Sequence, residues 1–170
     1  MKTPAPSVWA LVLALLAGCG YSFTGSSLPS HIRTIAVPVF ENETLDATIA
    51  EEATAGIQDR FLEDNRLKVV REARADCVLE GRVTGYERRV YSYTPDQEPQ
   101  EYIIAIVLAV VLKDRVKNRD LWSQERLQAT ATYAATEGTK VGQATTETAA
   151  REMAIELLAQ DILAKTLEQW

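Results

Sequence analysis

Hydrophobic and polar positions fall into distinct periodicities along this chain. After an unbroken apolar run of nine, Val8–Leu16, the stretch Thr34-Ile35-Ala36-Val37-Pro38-Val39-Phe40 is β-branched and predicts a strand, with Pro38 at an edge or a bulge. Glu41-Asn42-Glu43-Thr44 follows as a turn. Leu45, Ile49, Ala53, Ile57 and Phe61 then recur at intervals of four, with Glu51, Glu52, Gln58 and Asp59 outside the stripe. That spacing predicts an amphipathic helix, capped by Thr44 or Asp46 and ended at Asp64-Asn65. Leu67–Val70 reads as a second strand, and strand, helix, strand makes the two strands parallel.

Three longer strands come next. From Cys77 to Tyr93, the positions Cys77, Leu79, Gly81, Val83 and Gly85 are small or apolar and alternate with Glu80, Arg82, Thr84 and Tyr86, so one face is expected in the core. The two glycines permit close approach by a neighbour. Thr94–Gln100, with Pro95 and Pro99, is a loop, and Tyr102–Leu112 is apolar at every position. Eleven residues are too few for a membrane helix, and as a strand the run is expected to bury both faces. Asp114–Asp120 turns the chain into Leu121–Ala135, where Leu127, Ala129, Ala131 and Tyr133 alternate with Gln128, Thr130 and Thr132. After Gly138–Gly142, a helix is expected from about Thr145 to Glu168. Met153, Leu157 and Leu167 flank one side of its narrow polar strip, and Ile155, Leu158 and Ile162 the other. The fold class is α/β: a two-layer sandwich with a mixed, mostly antiparallel sheet of four to five strands and two helices on one face.

The first segment changes how the chain is divided. Lys2, then nine apolar residues, rise only about 13 Å as a helix against a hydrocarbon core of about 30 Å, which is the grammar of an export signal. Leu16-Ala17-Gly18-Cys19 resembles the lipobox of bacterial lipoproteins, which implies lipidation of Cys19. Gly20, rather than Asp, at the second mature position implies passage to the outer membrane. The expected division is 1–18 signal peptide, 19–30 lipidated tether and 31–170 a single α/β domain. Two or three acyl chains hold a protein durably on a bilayer, where one does so marginally.

Composition narrows the function. Of 170 residues, 46% are apolar and 25% charged, and 18 basic against 24 acidic side chains give a formal −6, which suits a globular domain and disfavours a general nucleic-acid binder. With Cys19 taken by lipid, Cys77 has no partner and reads as a buried structural thiol. No catalytic residue, cofactor or metal is expected. His31 is the single histidine, and Gly81-Arg82-Val83-Thr84-Gly85 lacks the Lys-Ser/Thr ending of a phosphate loop.

Taken together, Leu16–Phe23, Ile35–Thr44, Ala75–Gly81 and the terminal helix resemble the lipopolysaccharide-assembly lipoprotein family LptE. The resemblance implies a sandwich of two helices and four strands that plugs the outer-membrane β-barrel LptD, helps it assemble and takes part in delivering lipopolysaccharide to the cell surface. Two basic clusters are candidate contacts for lipopolysaccharide or another anion: Arg88 and Arg89, near Tyr86, Tyr91 and Tyr93, and Lys113, Arg115, Lys117 and Arg119 around the Asp114–Asp120 turn. Guanidinium forks suit phosphates and carboxylates, whereas charged hairpin tips are commonly just solvated. The opening Ile35–Phe40 with its helix also resembles the CsgG and TolB amino-terminal modules and lipoprotein activators of cell-wall synthases, which would make this an assembly or activator module without lipopolysaccharide handling.

Overall fold

The computed structural model describes residues 28–136 and 142–168. The expected signal segment, Cys19 and most of the tether lie outside them. The elements in order are β1 (Thr34–Ala36), β2 (Glu41–Asn42), α1 (Ile49–Asp64), β3 (Lys68–Val69), a 3-10 turn at Glu72–Arg74, β4 (Cys77–Tyr93), β5 (Pro99–Asp114), β6 (Arg119–Ala134) and α2 (Glu147–Glu168). The strands form one sheet in the order β3-β1-β4-β5-β6, with β2 also paired to β4. β1 runs parallel to β3 and β4, as the strand-helix-strand pattern requires, and β4, β5 and β6 form an antiparallel meander. The α/β two-layer class holds, with both helices packed on one face of a mixed sheet.

The first strand is shorter than its β-branched run. It leaves the ladder after Ala36 because Pro38 has no N–H to donate, and α1 supplies the missing partners. Gln58 Nε2 donates to Val37 O at 2.7 Å, and Phe40 N donates to Thr54 Oγ1 at 2.9 Å. Val37 and Phe40 are thereby buried while Val39 points to solvent. The expected turn at Glu41 is corrected as well: Glu41–Asn42 rejoins the sheet parallel to β4, opposite Arg82 and Val83.

Helix α1 buries Ile49, Ala53, Ile57 and Phe61, the predicted stripe, but Leu45 precedes the helix and is fully exposed. Thr48 holds the N-cap position without a side-chain capping bond of its own, and Asp46 caps the start of the helix from two residues earlier: its Oδ1 accepts from the N–H groups of Thr48 and Ile49, each at 3.1 Å. Asn65, left-handed at φ 58°, closes the other end by donating to Phe61 O.

The expectation that β5 buries both faces is corrected. Ile104, Ile106, Leu108, Val110 and Leu112 are buried beneath the helices, whereas Ile103, Ala105, Val107, Ala109 and Val111 are only partly covered, by side chains of the flanking strands. Two helices cover one face of a sheet and leave the other open. The two apolar sides of α2 find partners within the domain, because this helix touches β5 and β6 on one side and α1 on the other. A Cβ on Gly56 of α1 would stand 2.5 Å from Ile155 Cγ2, so a glycine is what lets the helices approach so closely. Leu157 alone of the large apolar residues on α2 stays exposed.

Candidate functional site

Two features interrupt the simple sandwich: a cationic turn at one end of the sheet and a knot of aromatic and charged side chains further along β4. Lys113 pairs with Val78 across the ladder and Arg88 with Ile104. Nine positions of β5 therefore separate the clusters, a distance of about 30 Å along a strand. The candidate residues fall into two separate clusters.

Asp114 organises the turn. Its side chain is fully buried, and its Oδ1 accepts from the N–H groups of Val116 and Lys117, each at 2.9 Å. Its Oδ2 lies 2.9 Å from His31 Nε2 and 3.9 Å from Arg119 Nε. Burial works against its ionisation, but the Lys117 N–H and His31 outweigh it and hold the carboxyl below its ordinary range. Lys113 pairs with Glu80 at 2.6 Å, the Arg115 guanidinium donates to Glu72 O, and Lys117 is exposed at the tip without a side-chain partner among the described residues.

The second cluster exists because of a bulge. The β4–β5 register shifts between Val83 and Gly85, so inward-facing residues change from odd to even numbers and Tyr86 and Arg88 turn beneath the helix layer. Glu147, in the first turn of α2, accepts from Tyr86 Oη at 3.0 Å, Arg88 Nη1 at 3.0 Å and Tyr133 Oη at 2.9 Å. The Arg88 guanidinium stands 5.0 Å from the Tyr102 ring centroid, and Tyr102 stacks on Tyr133 at 5.4 Å. Burial, then the bond to Glu147, pushes the Tyr86 phenol up to about 12. Arg88 is thus held by the domain itself, while its neighbour Arg89 is exposed on the opposite face, with no ion-pair partner among the described residues. Glu147, Tyr133 and Tyr102 were not identified from the sequence, since only the fold brings them to Arg88.

The open face of the sheet has its own pattern. The stripe Ile103, Ala105, Val107, Ala109 and Val111 is bordered on the β4 side by Arg89, Glu87, Gly85, Arg82 and Glu80. On the β6 side its neighbours include Thr132, Thr130, Gln128 and Ser123. It is a narrow apolar band between a largely charged row on β4 and a row on β6 that is neutral and polar at its upper end and carries Glu125 at the groove. An open groove of about 520 Å³ lies at its lower end, lined in part by Arg82, Ala109, Val111 and Gln124.

Cys77 is buried and free, its thiol pushed up to about 12 by burial and by the nearby carboxylates of Asp76 and Asp114. No cluster of three or more His, Cys, Asp or Glu side chains suited to a metal occurs among the described residues.

Comparison with solved structures places the architecture among bacterial proteins of low sequence similarity. An uncharacterized lipoprotein B from Nitrosomonas europaea superposes with a TM-score of 0.55 at 19% identity, over 84% of this chain and 86% of that one. A hypothetical protein from Chlamydia trachomatis gives 0.55 at 11% identity, over 79% and 95%. PelC from Paraburkholderia phytofirmans, a dodecamer, gives 0.50 at 17% identity, over 85% and 95%. At these identities the likeness concerns the fold. No curated protein matches the chain. The sequence matches the family model described as LptE, lipopolysaccharide-assembly, over residues 32–166, which is nearly the whole described domain. The chain therefore belongs to the LptE family of lipopolysaccharide-assembly proteins.

Proposed function

We propose that this protein is an outer-membrane lipoprotein, anchored through Cys19 on the periplasmic side, that plugs and helps assemble the LptD β-barrel and so takes part in inserting lipopolysaccharide at the cell surface. The observation that carries the reading is the family match over residues 32–166. The lipobox-like Leu16-Ala17-Gly18-Cys19 supports the anchor, and the sheet face left uncovered by the helices supports a large enclosing partner. The role is non-enzymatic: the protein binds and positions. Among the candidate anion contacts, Arg88 and Lys113 are held in close ion pairs with Glu147 and Glu80, which leaves Arg89 and the exposed Arg115, Lys117 and Arg119 as those most available to a ligand.

Depletion of the protein in its host tests this reading. Folded barrel and surface lipopolysaccharide should both fall, and a Cys19→Ser chain should restore neither in full. If both stay at their normal levels on depletion, the reading fails.

A further inference from the structure

The chain carries a formal −6, yet the segments 71–76 and 113–120 together hold six cations against four carboxylates. The fold brings these segments to the same end of the sheet: Arg115 N donates to Asp76 O at 2.9 Å. Two of the four carboxylates are engaged within the domain. Asp114 is buried, and Asp76 Oδ2 accepts from the N–H groups of Arg33 and Thr34 and from the Thr34 hydroxyl. Arg71, Arg74, Arg115, Lys117 and Arg119 remain exposed, facing the exposed acids Glu72 and Asp120 and, from β4, Glu80, which is taken up by Lys113. At the tip of the turn Val116, 61% exposed, stands among the cations.

The entry of the chain is a separate observation. Leu28 packs against the core, Ile32 N donates to Pro29 O at 2.8 Å, and His31 is tied to Asp114 at 2.9 Å. The chain preceding residue 28 therefore joins the domain beside the cationic turn. Nine peptide steps from Cys19 to Leu28 span at most about 30 Å, whereas the length of β5 carries the opposite end of the sheet about 50 Å further away.

We infer that this end of the domain is a contact surface for an anionic phospholipid bilayer, with Arg115, Lys117 and Arg119 on headgroup phosphates and Val116 at the interface. The inference rests on the lipidation of Cys19 proposed above. The tether holds this end of the domain within about 30 Å of the bilayer, and an anionic surface attracts cations within about one Debye length, roughly 8 Å at physiological salt. Docking would set the orientation of the domain on its anchor.

The full-length chain, purified from membranes and reconstituted into vesicles, provides the test. A nitroxide at Val116→Cys or, at the far end, Asp96→Cys reports depth, and the acyl mass on Cys19 is read from the same sample. In vesicles containing phosphatidylglycerol, the label at 116 should sit at headgroup level and the label at 96 in water. In purely zwitterionic vesicles the contact at 116 should be lost. Arg115→Gln with Lys117→Gln and Arg119→Gln should weaken docking roughly 100-fold, at about fivefold per cation near the surface. Arg71→Gln with Arg74→Gln, which leaves the turn intact, should weaken it by a smaller factor. Contact that is the same in both vesicle types, that survives both sets of substitutions, or that appears only when lipopolysaccharide is added overturns the inference, as does its absence. An acylated chain that recovers its barrel partner yet shows no contact defeats this inference and leaves the proposed function standing. A chain without acyl mass defeats the anchor and the inference together.

Discussion

Arg151 of α2 grips Asp46, the residue that caps α1, donating to its two carboxylate oxygens at 3.0 and 3.1 Å. The same guanidinium bonds Glu52 at 3.0 Å and lies 4.9 Å from the Tyr86 ring centroid, so one side chain ties the starts of both helices to β4. Its side chain is only 14% exposed. Exposed pairs contribute up to about 1 kcal/mol, and losing one partner of a buried pair costs about 3 to 5, so Arg151→Met should cost about 2 kcal/mol in urea denaturation.

The same contacts predict an acid dependence. At Asp46 burial opposes ionisation but is outweighed by the Arg151 hydrogen bond and the Thr48 N–H; at Glu147 it is outweighed by the hydroxyls of Tyr133 and Tyr86 and by Arg88. Both carboxyls are held below their ordinary values. A depressed folded pKa gives stability that is complete above the unfolded value and is lost as pH falls through the folded one. Unfolding free energy should therefore hold steady above about pH 5 and decline below about pH 4. In Arg151→Met the decline should be shallower, as a pH series of denaturation curves will show.

Gly81 and Phe40 make a close contact in the core, where a Cβ at Gly81 would come within 2.5 Å of the Phe40 ring. That ring is buried in the core where the chain passes from β1 to β2, and the bond from Phe40 N to Thr54 fixes the backbone that carries it. Gly81→Ala should cost about 1 to 3 kcal/mol by overpacking. Gly85→Ala, whose Cβ would meet Val107 at 3.4 Å, should cost less, and thermal melts of the two variants compare them directly.

Arg88 and Arg89 should separate in their effects. Arg88→Ala removes the contacts to Glu147 and Tyr133, and should lower stability by about 1 kcal/mol. Arg89→Ala should leave stability unchanged and weaken binding of purified lipopolysaccharide. Unchanged binding in Arg89→Ala, and in a chain neutralised at Lys113, Arg115, Lys117 and Arg119, would remove the headgroup role from both clusters.

Cys77 should behave as an inert core atom. With its thiol pushed up to about 12 and its Sγ 3.5 Å from Thr34 O, it should resist alkylation at pH 8 in the folded protein and react once the chain is unfolded. Rapid modification of the native protein would contradict the burial assigned to it.

Periodicity revealed α1 and the long strands because each buries a single face, as with Ile49, Ala53, Ile57 and Phe61 in α1. It misled where local chemistry breaks a period. Pro38 ends a ladder that β-branched residues would otherwise continue, and Leu45 keeps the interval of four but precedes the helix that Asp46 caps. The bulge before Gly85 reverses the facing of Tyr86 and Arg88 without any signal that alternation alone carries. The site was legible only as cations. Their partners, Glu147 for Arg88 and Glu72 for Arg115, lie 59 and 43 residues away in the chain. In β5 an unbroken apolar run from Tyr102 to Leu112 implies cover on both faces, yet the domain supplies helices for one face only.

Co-purification distinguishes a barrel plug from a free-standing envelope module. The chain is recovered from detergent-solubilised outer membranes, and the proteins bound to it are identified and quantified by mass spectrometry. A single large β-barrel, identified as LptD, is expected in equimolar amount. Recovery of the chain only as a homo-oligomer, or with a cell-wall synthase in place of the barrel, would contradict the role of plug.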